Sequence, residues 1–495
     1  MAKIDLIDTT IRDGNQSLWG ATGLTNGMIH EIAPIIDAVG FHALDFVTST
    51  HLGTTVRYHK ENPWERIRRF HERAPNTRLG FLTSGLRFIS WETASMGLME
   101  LALSVLVKNG VSRFQVVDPM NNMDSIVTMA KIARKVGGEE IVAGVTYTVS
   151  EIHDDAYFSA CAKKLAKLKE IDRIYLKDPG GLLMPERARG LIPAIKQAIG
   201  GKPLEIHSHC NLGLAPISYL EAANGGAVGL HVAVSAAANG SSQPSAERII
   251  SNLKAYGHTV DVDEDALARV GEYFSDLARA EGLPVGQVQE FDAAAFKHQI
   301  PGGVLGTMRR QLAEIKQLHK LDAVINEVEQ VRKDLGYPIM VTPFSQVVVA
   351  QSVMNVISPE RYANVPDEVI RYATGKFGTP SFPIDGNVLD RIASLPRAKE
   401  LASEPPMPDI DGLRAKLGRH LSDEELVLRA VMPADQVDAM LANGGGRRSY
   451  NPKTKPMISL IKSLAARKDI DYVEVRKDDF SLTLKSDQET SGVSK

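Results

Sequence analysis

The chain has 495 residues, enough for two to four domains. With 43% apolar and 24% charged residues it has the make-up of a globular protein with a large core, which excludes wholesale disorder, a fibrous repeat and a disulfide scaffold. A formal net charge of −3 argues against nucleic acid as a main partner, and no apolar run reaches the ~20 residues of a membrane span. The first residues, MAKIDLIDTTIRDG, carry acidic groups where a signal peptide is apolar, and two cysteines, Cys161 and Cys210, fit a reduced compartment. A cytoplasmic location is expected.

The first 240 residues alternate between β-branched runs and helix-period segments. The runs begin at Lys3, His42, Arg78, Arg113, Glu140, Asp172, Pro203 and Gly229. Eight strands separated by helices require crossover connections and a parallel sheet. An α/β fold is expected, a (β/α)8 TIM barrel over residues 1–285, with an open doubly wound sheet as the alternative; no GxGxxG follows the first strand. A mainly helical domain is expected over 286–400, then a linker and short helical segment over 401–456. A small C-terminal α+β element over 457–488, one amphipathic helix and the strands YVEVR and SLTLK, precedes a disordered tail, 489–495. An element that small has little core of its own and needs something to pack against.

In a (β/α)8 barrel the chemistry lies at the C-terminal ends of the strands. Strand one ends in TTIRDGNQS, with Arg12, Asp13, Asn15 and Gln16. Strand six ends in Lys177 and Asp178, strand seven carries His207 and His209, and the loop after strand eight carries Ser241, Ser242 and Gln243. His207 and His209 are two apart on a strand and share a face. With Asp13 they suit a divalent cation, and without one they are two hydrogen-bonded barrel histidines. Lys177 at a strand end is costly to bury as a cation. It is open to three readings: an ion pair with Asp178 or Asp13, a Schiff-base nucleophile, or an amine that captures CO2 and becomes an anionic ligand.

The segments RDGNQSL, ENPWERI, VTYTVSEIH, YLKDPGGLL, HSH, GSSQPS, KHQIPGG and VRKDLGYPIMVTPFSQVVVAQSVMNVI span residues 8 to about 380. In that order they resemble the carboxyltransferase component of the biotin-dependent carboxylases: pyruvate carboxylase, the oxaloacetate decarboxylase alpha subunit and the transcarboxylase metal subunit. The resemblance implies a metal-dependent barrel followed by a helical domain that shapes the biotin entrance. It implies Asp13, Lys177, His207 and His209 as metal ligands, Lys177 as a carbamate, and zinc, manganese or cobalt as the metal. Arg12 and Gln16 would help hold the acid. Ser241 stands where the family has a threonine that carries a proton between biotin and substrate, and it keeps the hydroxyl.

Four positions depart from the family pattern. Ser84 replaces an arginine that grips a carboxylate, with Arg87 three residues on as a possible substitute. Asn15 replaces a histidine, VTSTHLG stands for W-G-G-A-T-F, and Cys210 follows HSH where the family has an aspartate. Beside the metal these changes point to an acceptor that is not simply pyruvate. None of the fifteen methionines is followed by lysine, so no biotin-accepting A-M-K-M hairpin is present. The expected partners are a separate biotin carboxyl carrier protein, a biotin carboxylase subunit and further copies of the chain, as a dimer or higher. The C-terminal element is read as a docking piece for the carrier. The competing readings are a metal-dependent aldol-type lyase or synthase, whose D-x-T-x-R-D-G pattern DTTIRDG fits, and an inactive scaffold subunit.

Overall fold

The computed structural model describes residues 2–89, 93–380, 382–444, 449–467, 472–477 and 480–485. Eight parallel strands form the barrel: β1 (Lys3–Asp8), β2 (Ala43–Thr48), β3 (Leu79–Ser84), β4 (Val111–Val117), β5 (Glu140–Thr146), β6 (Arg173–Asp178), β7 (Leu204–Ser208) and β8 (Gly229–Val232). Each bonds to its successor, and β1 bonds to both β8 and β2, which closes the cylinder. A two-residue strand, β9 (Thr259–Val260), pairs with the start of β1; it is too short to leave a periodic signal in the sequence. The helices that cross between strands start where local chemistry starts them. Asn62, for example, accepts from the amides of Trp64 (2.9 Å) and Glu65 (3.3 Å) at the head of Pro63–Arg73, whose first residue is proline.

The barrel interior is polar at its base and apolar in the middle. Arg113 and Glu205, both without exposed surface, pair at 2.6 Å, and Arg173 meets the other Glu205 oxygen at 2.5 Å. Above them Leu82, Val117, Val142 and Tyr175 pack together. A charged layer this deep is tolerable only because each charge has its opposite in contact.

Residues 300–401 form a second core, centred on helices Gly302–Glu314, Leu321–Asp334 and Phe344–Ile357. Its ties to the barrel come at the mouth. The Thr148 hydroxyl donates to Gln299 Oε1 (2.8 Å), the Gln299 amide donates to the Val149 carbonyl (2.6 Å), and Phe382 meets His153 with ring centroids 5.3 Å apart.

The stretch from 401 on, expected as a linker with a short helical segment, packs on the barrel. Helices Ile410–Leu417, Asp423–Val431 and Ala434–Ala442 return to the barrel, and Leu413, Leu426, Val427, Leu428, Met432 and Val437 join its hydrophobic core. The Trp64 indole donates to the Glu424 carbonyl (3.0 Å), and Asn109 and Arg68 both reach the Glu424 carboxylate (3.0 Å each). Burial of an aliphatic side chain contributes about 1.5–3 kcal/mol, so six of them hold this segment firmly. Beyond it, helix Lys455–Ala465 and an antiparallel hairpin, β10 (Tyr472–Lys477) with β11 (Phe480–Lys485), match the expected helix and two strands. The disordered tail expected over 489–495 lies outside the described residues. Among the described residues no helix is long and apolar enough to cross a membrane.

Candidate metal centre and transfer site

Asp13 sits in a single wide helical turn, Thr10–Gly14, that follows β1 directly. Gly14 lets the turn sit close to the loop after β8: a Cβ would lie 3.0 Å from the Ala237 carbonyl oxygen, tight enough to require a shift of a few tenths of an ångström. His207 and His209 come from β7 and the residue beyond it, and Lys177 pairs in register with His207 across β6 and β7. Asp13 Oδ2 is 3.0 Å from His207 Nε2 and 3.4 Å from His209 Nε2, and the three ligand atoms lie within 4.8 Å of one another. All three residues are buried.

The donor set suits a divalent cation. Asp13 Oδ2 is buried, 3.0 Å from an Arg12 terminal nitrogen on one side and facing the two imidazoles on the other. The His209 ring donates from Nδ1 to the Ser241 carbonyl (2.6 Å), which leaves Nε2 with a bare lone pair. Gln243 extends its amide nitrogen toward His207 Nε2 (3.4 Å) and His209 Nε2 (3.1 Å), while its oxygen lies 2.8 Å from the Thr9 hydroxyl. Two imidazole lone pairs and a buried carboxylate oxygen converge on one point, a donor set that a divalent cation fits. Burial is the largest influence on Asp13 and would raise its pKa; Arg12, His209 and His207 overcome it and hold the carboxyl well below the usual range.

Lys177 is 8% exposed, and among the described residues its amine makes no ion pair or hydrogen bond. The ion-pair reading therefore fails. Asp178 turns away and accepts from the Leu182 amide (2.9 Å), the Leu183 amide (2.8 Å) and the Ser208 hydroxyl (2.7 Å), anchoring the loop after β6. Burial, with the Arg12 charge, pushes the lysine amine down to about 8. Arg12 lies between two acids: Nε and a terminal nitrogen reach Asp45, and the other terminal nitrogen is 3.0 Å from Asp13.

Arg12, Asp13, Gln16, Lys177, His209 and Ser241 all open on one cavity of about 910 Å³. Its opposite wall is built from the second core by apolar side chains such as Val304, Met308, Met340, Val349 and Val353. The Ser241 hydroxyl donates to the Ser17 carbonyl (2.8 Å). Ser84 and Arg87 are not among the residues lining this cavity. Arg87 is 4% exposed and is held by the carbonyls of Ser84 (3.0 Å) and Phe377, the Asp118 carboxylate (3.6 Å) and the Phe344 ring (5.7 Å). It fastens the barrel to the second core. Asn15 accepts from the Gly23 amide (3.1 Å) and fixes a turn. Cys210, just beyond β7, is buried with its thiol pushed up to about 12 by burial, as fits a packing residue.

The chain is similar to known proteins. An HMGL-like family model matches residues 3–273, the barrel, and a model described as Conserved carboxylase domain matches 295–471. A pyruvate carboxylase subunit of Methanocaldococcus jannaschii is 35% identical over 392 residues, 79% of this chain and 68% of that one. The chain belongs to the carboxyltransferase family of the biotin-dependent carboxylases. The 2-oxoglutarate carboxylase large subunit of Hydrogenobacter thermophilus is 32% identical over 459 residues, covering 91% of this carboxyltransferase and 70% of that protein. The carboxyl transferase domain of Rhizobium etli pyruvate carboxylase superposes with a TM-score of 0.79 at 22% identity, over 98% of this chain and 84% of that one, and shares the fold. The HMGL-like match accounts for the aldol-type look of DTTIRDG; the second model and the relatives decide for a carboxyltransferase. Such an enzyme works with a divalent metal and with biotin presented by a partner.

Sequence reading singles out neither Asp45 nor the working part of Gln243. Asp45 lies in ALDFVT, where an acid in the middle of a buried strand is itself the signal.

Proposed function

We propose that this chain moves a carboxyl group between carboxybiotin on a separate carrier protein and an enolisable acid other than pyruvate alone. Asp13, His207, His209 and Lys177 would hold the metal, zinc, manganese or cobalt, with Lys177 as its carbamate. The observation that carries this is the cavity itself: Asp13 and His209, two of three convergent ligand residues, open with an unpaired buried lysine and a serine hydroxyl on one chamber with an apolar wall, and the third, His207, lies directly behind them. A neutral lysine amine adds CO2 and releases a proton, which turns a costly buried cation into an anionic oxygen ligand. When bound, the cation supplies a Lewis acid for the oxygen next to the carbon being deprotonated.

The residues divide the remaining tasks. The apolar wall excludes water from the transferred CO2 and receives the biotin ring. Arg12 and Gln16 hold the carboxylate of the acid. As the N–CO2 bond of carboxybiotin breaks, the Ser241 hydroxyl turns from Ser17, gives its proton to the biotin nitrogen and takes one from the substrate α-carbon. The resulting carbanion forms the new C–C bond to CO2. Run backwards, the same steps load biotin from a carboxylated acid.

The relatives named above carry pyruvate and 2-oxoglutarate in their names. Arg87, tied into the junction, supports an acceptor gripped differently from pyruvate. A biotin carboxylase subunit and a dimer or higher assembly complete the proposed complex. The C-terminal element suits carrier docking: the Tyr450 hydroxyl holds its base to Glu281 (2.6 Å), while Ile458, Leu460 and Tyr472 are about half exposed.

A free-biotin exchange assay over a panel of 2-oxo acids and acyl substrates, read by mass, tests this. Transfer is expected with at least one acid and is lost in Lys177→Ala. Pyruvate turnover at a rate typical of the family would overturn the acceptor reading, and no transfer to any acid would overturn the function.

A further inference from the structure

The two histidines of the metal centre are held differently. His209 donates from Nδ1 to a carbonyl, which can only accept, so its tautomer is settled by one contact. His207 has no such partner. Its Nδ1 faces Nδ1 of a third histidine, His231 of β8, at 3.3 Å. Two like nitrogens can bond only if one carries a hydrogen and the other does not, and the pair alone does not say which.

The next contact down the barrel decides it. His231 Nε2 is 3.0 Å from Glu205 Oε2, an oxygen that already accepts from Arg113 at 2.6 Å. A carboxylate between guanidinium groups is an acceptor, so His231 carries its hydrogen on Nε2. A neutral His231 then offers a bare Nδ1, and His207 must donate from its own Nδ1. The opposite end agrees: Gln243, its oxygen turned to Thr9, presents an N–H toward His207 Nε2. Both contacts favour a bare Nε2, whereas Asp13 Oδ2, an acceptor 3.0 Å away, favours a hydrogen there; the two ends compete in the metal-free site, and a bound cation would remove that competition. Glu205, His207 and His231 have no exposed surface, so water does not compete for these bonds.

We propose that His231, held by Glu205, is a positioning residue that locks His207 in its Nδ1–H tautomer and so prepares Nε2 for the metal. Metal-bound histidines ordinarily donate their second N–H to a carboxylate or carbonyl. Here an imidazole stands between ligand and carboxylate, and the carboxylate is anchored at the base of the barrel. The inference rests on the metal site proposed above.

The test compares metal affinity in full-length variants. Apo protein is titrated with cobalt against a chromophoric chelator, with metal content and thermal melting measured alongside. Loss of such an outer partner costs 10–100-fold in metal affinity, and that loss is expected for His231→Leu. His231→Asn, whose side-chain oxygen can take the place of Nδ1, is expected within about threefold of wild type. Tyr175→Phe is the packing control: its ring stacks on His231 at 5.3 Å, but its hydroxyl makes no hydrogen bond among the described residues. It is expected to bind like wild type. In cobalt-loaded wild type, paramagnetically shifted proton spectra should show two exchangeable imidazole N–H signals, one from each ligand. Wild-type affinity in folded His231→Leu would overturn the inference and leave the metal site standing. Equal losses in all three variants, or a single exchangeable signal, would also overturn it; wild type that binds no cation would overturn both. Should His231→Leu fail to fold, the asparagine variant and the spectrum still decide.

Discussion

The two walls of the central cavity are built on opposite terms. On the barrel side most working groups are buried, charged or hydrogen-bonded, and they sit on strand ends or on the turns that follow them directly. On the helical side the lining is mainly alkyl, drawn from the second core with a few polar side chains such as Gln311 and Gln346 between, and methionines such as Met308 and Met340 can change rotamer at small cost. The barrel wall therefore sets chemistry and stability together, whereas the helical wall sets fit. Variants on the first should fail abruptly, and variants on the second by degrees.

Lys177→Ala should produce the largest effect. Removing the unpaired barrel-mouth amine is expected to lower carboxyl transfer to below about 1% and to strip the metal, beyond the 10–100-fold typical of an outer partner. Metal analysis of the purified variant separates this from a defect in turnover alone. A fully active, metal-loaded variant would erase the distinction between the walls.

Arg12→Met comes next and falls on stability. Arg12 is 2% exposed and Asp45 1%. Removing the guanidinium leaves the Asp45 carboxylate buried and unpaired, a loss of roughly 3–5 kcal/mol. Denaturant unfolding measures it, and adding Asp45→Asn should restore part of the loss. No change in midpoint would mean that the pair is solvated in solution.

The junction between the two walls has its own pH response. His153, on the barrel side, meets Phe382, and its pKa is lowered to about 4 by burial and by the Arg332 charge. His30, in the barrel proper, is lowered to about 4, mainly by burial. A histidine whose folded value lies below its unfolded value of about 6.5 is the poorer proton binder when folded. Stability is thus complete above about pH 6.5 and drains away as the pH falls toward 4. Each group carries up to about 3 kcal/mol across that window. Urea midpoints between pH 7 and 4.5 should fall, and His153→Phe should flatten the slope; an unchanged slope would place the acid sensitivity elsewhere.

How far the walls are legible in the sequence follows from the same contrast. A period of two residues puts His207 and His209 on one face, and strand ends gather Asp13, Lys177 and Ser241, so the barrel wall can be read from spacing. The eight strands are legible for the same reason. What depends on distant backbone is not. Arg87 reads as free to reach a substrate because nothing local shows that the Phe377 carbonyl, almost three hundred residues on, captures it. In 410–442 the short helical stretch is legible but its docking is not, because its apolar faces are short and their partner surface, around Trp64 and Asn109, lies elsewhere in the chain. His231 gives no signal because a histidine inside a strand acquires meaning only when Glu205 and His207 lie on either side of it.

Val353→Ala is the mildest change and the sharpest probe of the helical wall. Val353 lines the cavity from helix Phe344–Ile357. Shortening it should cost only about 1 kcal/mol of stability. If the wall seats the biotin ring, KM for free biotin should rise roughly fivefold, a difference of about 1 kcal/mol, with metal content and kcat unchanged. Parallel losses in kcat and metal would mean that the helical wall holds the barrel groups in place, and the division of labour between the two surfaces would have to be redrawn.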